Sequence, residues 1–124
     1  MGARETALNA LIACRRQQGW SNAVLKEYIR RDRLDARDAG LATRLCYGVV
    51  QNRGMLDFYL AQLLNGSLKK LHPAVRDILH LGLYQLYALD KIPDSAAVNE
   101  SVRLAKKYGP AGCERLVNGV LRNA

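Results

Sequence analysis

Cysteine is scarce in this chain and shows no pairing pattern. Cys14, Cys46 and Cys113 are an odd number without CxxC spacing, which argues against both a disulfide framework and a zinc site. His72 and His80 have no partners at metal-ligand spacing, so no metal is expected. No apolar run reaches the roughly 18 residues that a bilayer requires. Met1-Gly2-Ala3-Arg4-Glu5 passes directly into an amphipathic pattern without an apolar signal core. A soluble, cytoplasmic protein with no membrane partner is therefore the expectation. Strand alternation, internal repeats, low-complexity segments and flexible linkers are missing as well. So are GxGxxG after a strand, the phosphate-binding P-loop, GxSxG and HExxH. Acidic residues fall at caps or beside basic neighbours, not as an acid–base pair, and no cysteine has an evident base nearby. The chain is expected to have no catalytic residue and no cofactor.

What is present is a globular composition, 49% hydrophobic and 24% charged, in 124 residues. That is one ordinary domain, able to bury about two-thirds of its unfolded surface. Charge is the strongest compositional signal, with 19 Lys and Arg against 11 Asp and Glu for a net +8. Arginine supplies most of the excess, and its planar fork suits phosphate contacts and stacking. A small basic domain is attracted to polyanions, of which nucleic acid is the commonest in cytosol. Plain colloidal solubility is the competing explanation of the same charge.

Glycine and proline divide the chain into seven helical lengths. The first runs from about Ala3 to Gln18 on Leu8, Leu11 and Ile12 and is closed by Gly19. Ser21 reads as the N-cap of a second helix carrying Val24, Leu25, Tyr28 and Ile29. Asp35 caps a third, whose inward stripe is Leu41, Ala42, Leu45, Gly48 and Val49. Gly54 marks the next boundary, followed by a helix on Leu56, Leu60, Leu63 and Leu64 that ends at Asn65-Gly66. His72-Pro73 opens a fifth, with proline in the first turn. Its wide apolar face of Val75, Ile78, Leu79, Gly82, Leu83 and Leu86 marks it as central. Pro93-Asp94 stops the connection and caps a sixth that ends at Tyr108-Gly109-Pro110. A seventh runs from about Ala111 to Arg122 on Cys113, Leu116, Val117, Val120 and Leu121. This is an all-α bundle.

Candidate binding residues lie on the helix flanks. Arg37, Arg44 and Gln51 recur every seven residues on the third helix, with Tyr47 beside them. Such a ladder can neutralise phosphates and stack an unpaired base; a solvated flank with ion pairs fits it equally. Arg4 and Arg15 share a face with Leu8 and Leu11, so each needs an acidic partner or room to reach past the edge. Glu100 is a candidate partner. Arg76, His80, Tyr84 and Tyr87 share one side of the fifth helix, read as a half-buried packing edge with His80 a satisfied polar group or, in the rival reading, as a protein-docking edge. The three cysteines fall on apolar faces, where a thiol serves as a small hydrophobe.

Pro93-Asp94-Ser95-Ala96-Ala97-Val98-Asn99-Glu100-Ser101-Val102, Leu104-Ala105-Lys106-Lys107-Tyr108-Gly109 and Leu116-Val117-Asn118-Gly119-Val120-Leu121 together resemble the C-terminal signature of NusB-like domains. Ala3 to Leu11 resembles their first helix. The resemblance spans nearly the whole chain. It implies an all-α NusB-like bundle of two helical sub-bundles, forming a single RNA-binding domain over residues 1–124. One branch of the family comprises free-standing transcription antitermination factors, which act with a ribosomal-protein partner. The other is the N-terminal domain of Sun/Fmu-type ribosomal RNA cytosine-5 methyltransferases. The segment Arg37 to Val50, then Arg53-Gly54-Met55-Leu56-Asp57 and Leu81 to Leu86, is similar to the methyltransferase branch. The antitermination branch opens on an arginine cluster, of which only Arg4 is present in this chain. The resemblance adds Arg115, just before the Leu116-to-Leu121 segment, as an RNA contact, with Arg4 and Arg122 as secondary ones. It also implies a catalytic domain, with an S-adenosylmethionine fold and paired cysteines, that lies outside these residues. The expected role is an RNA-binding accessory domain positioning small-subunit ribosomal RNA. Antitermination, or docking of a catalytic domain or ribosomal protein, is the alternative.

Overall fold

A computed structural model of the chain describes residues 2–64 and 68–124. Among them are seven α-helices and one 3-10 turn, with no strand. The expected end of the fourth helix at Asn65-Gly66 lies outside the described residues. The helices are α1 (Ala3–Arg16), α2 (Asn22–Arg31), α3 (Ala36–Gln51), α4 (Arg53–Leu64), α5 (Pro73–Ala88), α6 (Asp94–Tyr108) and α7 (Cys113–Arg122). They form two compact units, divided between Gln51 and Asn52.

In the first unit α1 packs on both α2 and α3. Its core is Ala7, Leu8, Leu11 and Cys14 from α1, Leu25 from α2, and Ala42, Leu45, Cys46 and Val49 from α3. Each fully buried leucine there contributes about 2 kcal/mol of transfer free energy. Ser21 caps α2 by accepting the Val24 N–H at 3.3 Å. Asp35 does the same for α3, accepting the Asp38 N–H at 2.8 Å. The end of α1 differs from expectation. Gln18, not Gly19, takes the left-handed conformation at φ 65°. The N–H groups of Gln18 and Gly19 then return to Arg15 and Cys14, satisfying two terminal carbonyls.

In the second unit α5 is central, packing on α4, α6 and α7. Pro73 stands in its first turn and His72 caps it, Nδ1 accepting the Ala74 N–H at 3.2 Å. At Gly82 a Cβ would stand 2.7 Å from Leu121 Cδ1 and 2.8 Å from Ser101 Oγ, so glycine sets the approach of α6 and α7. Four expectations shift in this unit. Gly54 lies inside the first turn of α4, one residue past its start. Asp94 is the first residue of α6 and makes no side-chain cap. Helix α7 begins at Cys113, after Gly112 turns the chain at φ 85°, and Leu116 on its expected buried stripe is 41% exposed.

Candidate nucleic-acid interface

The first unit presents its basic residues outward because its apolar stripes consume the inner faces. Arg37, Arg44 and Gln51 are all exposed along α3, and neither arginine has an ion-pair partner among the described residues. Tyr47 is half-buried and meets Trp20 edge-on, ring centres 5.6 Å apart. An anchored ring at the base of an arginine ladder is a suitable base-stacking element. Arg4 is half-buried, whereas Arg15 is exposed and does not share the buried face that the spacing predicted. Glu100, the partner expected for one of them, instead pairs with Arg103 of its own helix at 2.6 Å.

In the second unit Arg115 is exposed without an ion-pair partner among the described residues. Arg122, also exposed, donates from Nε to Asn118 Oδ1 at 2.8 Å. Lys106 and Lys107 are exposed.

The docking edge expected on α5 is divided by the fold. His80 is buried, and its Nε2–H donates to Asp57 Oδ1 at 2.6 Å; Nδ1 has no hydrogen-bond partner among the described residues. Arg76 donates Nη2–H to the other carboxylate oxygen at 2.7 Å and Nε–H to Oδ1 at 3.3 Å. Both residues thus tie α5 to α4 through Asp57 and are not a free docking surface. Burial pushes His80 below the usual imidazole range, against the pull of Asp57. Burial alone would raise Asp57, but the Arg76 and His80 hydrogen bonds hold it below the usual carboxylate value. Tyr84 is half-buried, while Tyr87 is 60% exposed. Tyr87 lies 6.0 Å from Tyr59, which lies 5.8 Å from Phe58, itself 61% exposed. Sequence reasoning missed Asp57, Phe58 and Tyr59. The signal was two adjacent aromatics off the Leu56–Leu60–Leu63 stripe. Beside them a groove of about 990 Å³ is floored by Leu56, Leu83, Val98 and Leu121.

All three thiols are buried. Cys46 donates to the Ala7 carbonyl at 3.5 Å and Cys113 to that of Ala105 at 3.2 Å. Burial, with a contribution from Cys14, pushes Cys46 up to about 12, and burial raises Cys113 too. Neither forms the thiolate that nucleophilic attack requires at neutral pH. Among the described residues no cluster of His, Cys, Asp or Glu could hold a metal ion, and no helix is long and apolar enough to cross a membrane.

The profile of the NusB family matches residues 1–124. A probable ribosomal RNA small subunit methyltransferase B of Bacillus subtilis is 43% identical over 120 residues, covering 97% of this chain and 27% of that protein. The chain thus spans about a quarter of the length of such methyltransferase relatives. The transcription antitermination protein NusB of Serratia proteamaculans is 31% identical over 96% of this chain and 86% of its own length. The solved structure of T. maritima NusB superposes with a TM-score of 0.89 at 27% identity, covering 98% of this chain and 86% of that one. Another with a TM-score of 0.89, a complex of antitermination factors NusB and NusE with dsRNA, is 24% identical and shows the fold alone; it covers 98% of this chain and 92% of that one. Seven helices in two units, the match along all 124 residues and these superpositions agree: the chain belongs to the NusB family.

Proposed function

We propose that this chain binds RNA and positions small-subunit ribosomal RNA for a catalytic domain that methylates carbon 5 of a cytosine. The observation that carries the reading is the α3 ladder, where Arg37 and Arg44 stand exposed and, among the described residues, without ion pairs. A carboxylate partner would have neutralised them; without one, their charge is available to phosphate. The methyltransferase assignment draws its support from the 43% identity to the Bacillus subtilis protein, against 31% to the Serratia proteamaculans factor. Neither the methyl donor nor the transfer step is assigned to these residues, whose thiols are buried. A ribosomal RNA ligand implies a cytoplasmic location.

Affinity for single-stranded RNA, measured across salt concentration, is the test. Each phosphate neutralised steepens the log–log slope by roughly 0.7. The double variant R37A/R44A is expected to weaken binding and flatten the slope by up to twice that amount. A wild-type affinity independent of salt would overturn the reading.

A second reading, docking of a protein, has its own observation. Phe58, Tyr59 and Tyr87 form an exposed aromatic row beside the apolar groove, and aromatic residues are enriched at protein interfaces. The groove lining holds one acid, Asp94, and one cation, Arg122. That balance suits a protein surface better than a polyanion.

A further inference from the structure

The corner where α2 ends and α3 begins carries arginines that belong to neither the α3 ladder nor the aromatic row. Arg31 is the last residue of α2, and its guanidinium carbon lies 4.3 Å from the centre of the Tyr28 ring, three residues earlier. Its Nε–H donates to Asp32 Oδ1 at 3.1 Å. The other oxygen of Asp32 accepts the Thr6 hydroxyl of α1 at 2.7 Å. The Asp32 side chain is 5% exposed and that of Arg31 is 51%. A buried carboxylate anchored from α1 and an aromatic ring together hold a half-exposed guanidinium in place. A surface arginine otherwise loses rotamer entropy when a ligand immobilises it. At this corner much of that ordering is complete before any ligand arrives.

Two residues on, Arg33 holds φ 54°. Its N–H returns to the Arg30 carbonyl and that of Leu34 to Ile29, a helix stop at which glycine is the unstrained residue. Arginine there strains the backbone. Strain of this kind concentrates where a side chain is used, and the Arg33 side chain is exposed. Arg37 follows on the first turn of α3.

We propose that Arg31 is a stacking platform for an unpaired base of RNA, with Arg33 taking an adjacent phosphate. The proposal rests on the RNA-binding reading and adds to it a preference for single strands. With Nε engaged by Asp32 and its central carbon over the Tyr28 ring, the corner presents a guanidinium held in place before RNA arrives. Guanidinium planes stack unpaired bases, whereas a free phosphate would use the fork and not the face.

Arg31→Lys keeps the charge and removes the plane, at a half-exposed position where the fold tolerates the change. Affinity for a short single-stranded RNA and for a duplex of equal length is measured at several salt concentrations. The variant is expected to lose about tenfold on the single strand, with an unchanged salt slope and no loss on the duplex. Arg33→Ala is expected to flatten the slope by roughly 0.7. If wild type binds the single strand and R31K binds it equally well, or loses equally on both RNAs, the platform is wrong while the RNA-binding reading stands. If wild type binds neither RNA, both are wrong.

Discussion

Arg33 and Gln18 both end helices in the left-handed region, and neither is glycine. The sequence offered Gly19 as the stop for α1, but the hydrogen bonds count back from where α1 unwinds, which puts Gln18 at that position. A Cβ in this conformation crowds the following carbonyl. Arg33→Gly is therefore expected to raise the free energy of unfolding by about 1 kcal/mol in chemical denaturation. It also removes the charge assigned to phosphate, so stability and RNA affinity should move in opposite directions. A variant no more stable than wild type would show that the Arg33 side chain supplies compensating native contacts.

Between elements, the α4–α5 junction depends on Asp57, which holds Arg76 and His80 at once. The helical spacing of Arg76, His80, Tyr84 and Tyr87 was legible in the sequence, but spacing on one helix does not reveal a carboxylate on its neighbour. His80 has a folded-state pKa below its ordinary 6.5, so the unfolded chain binds more protons as pH drops through that value. Its contribution to stability is complete above pH 6.5 and is lost as pH falls below it. Asp57, also lowered, keeps its contribution until pH falls below about 4. Unfolding free energy measured between pH 7.5 and 5 should decline in wild type, with this part of the decline missing in His80→Gln. Equal slopes in the two proteins would mean that His80 titrates alike in the folded and unfolded chain.

For the whole molecule, the two readings fall on different compact units. Arg37 and Arg44, proposed to contact RNA, belong to the first, and the aromatic row to the second. Tyr59→Ala with Tyr87→Ala is expected to abolish capture of a protein partner, such as a separately supplied methyltransferase domain, while leaving RNA affinity within about twofold. R37A/R44A should do the reverse. Loss of both activities in either variant, with the fold intact by circular dichroism, would mean that RNA and protein share one surface.

Helix number, their apolar faces, the burial of all three cysteines and the exposure of Arg37 and Arg44 followed from the sequence by itself. Each is a local property, set by residue type and a 3.6-residue period. Three features needed the tertiary structure: the carboxylate that claims Arg76 and His80, the clash that fixes glycine at position 82, and the Thr6 hydroxyl of α1 that anchors the Asp32 carboxylate at the end of α2. Each of these requires residues from different helices to meet, and the periodicity of a single helix specifies a face without naming what packs against it.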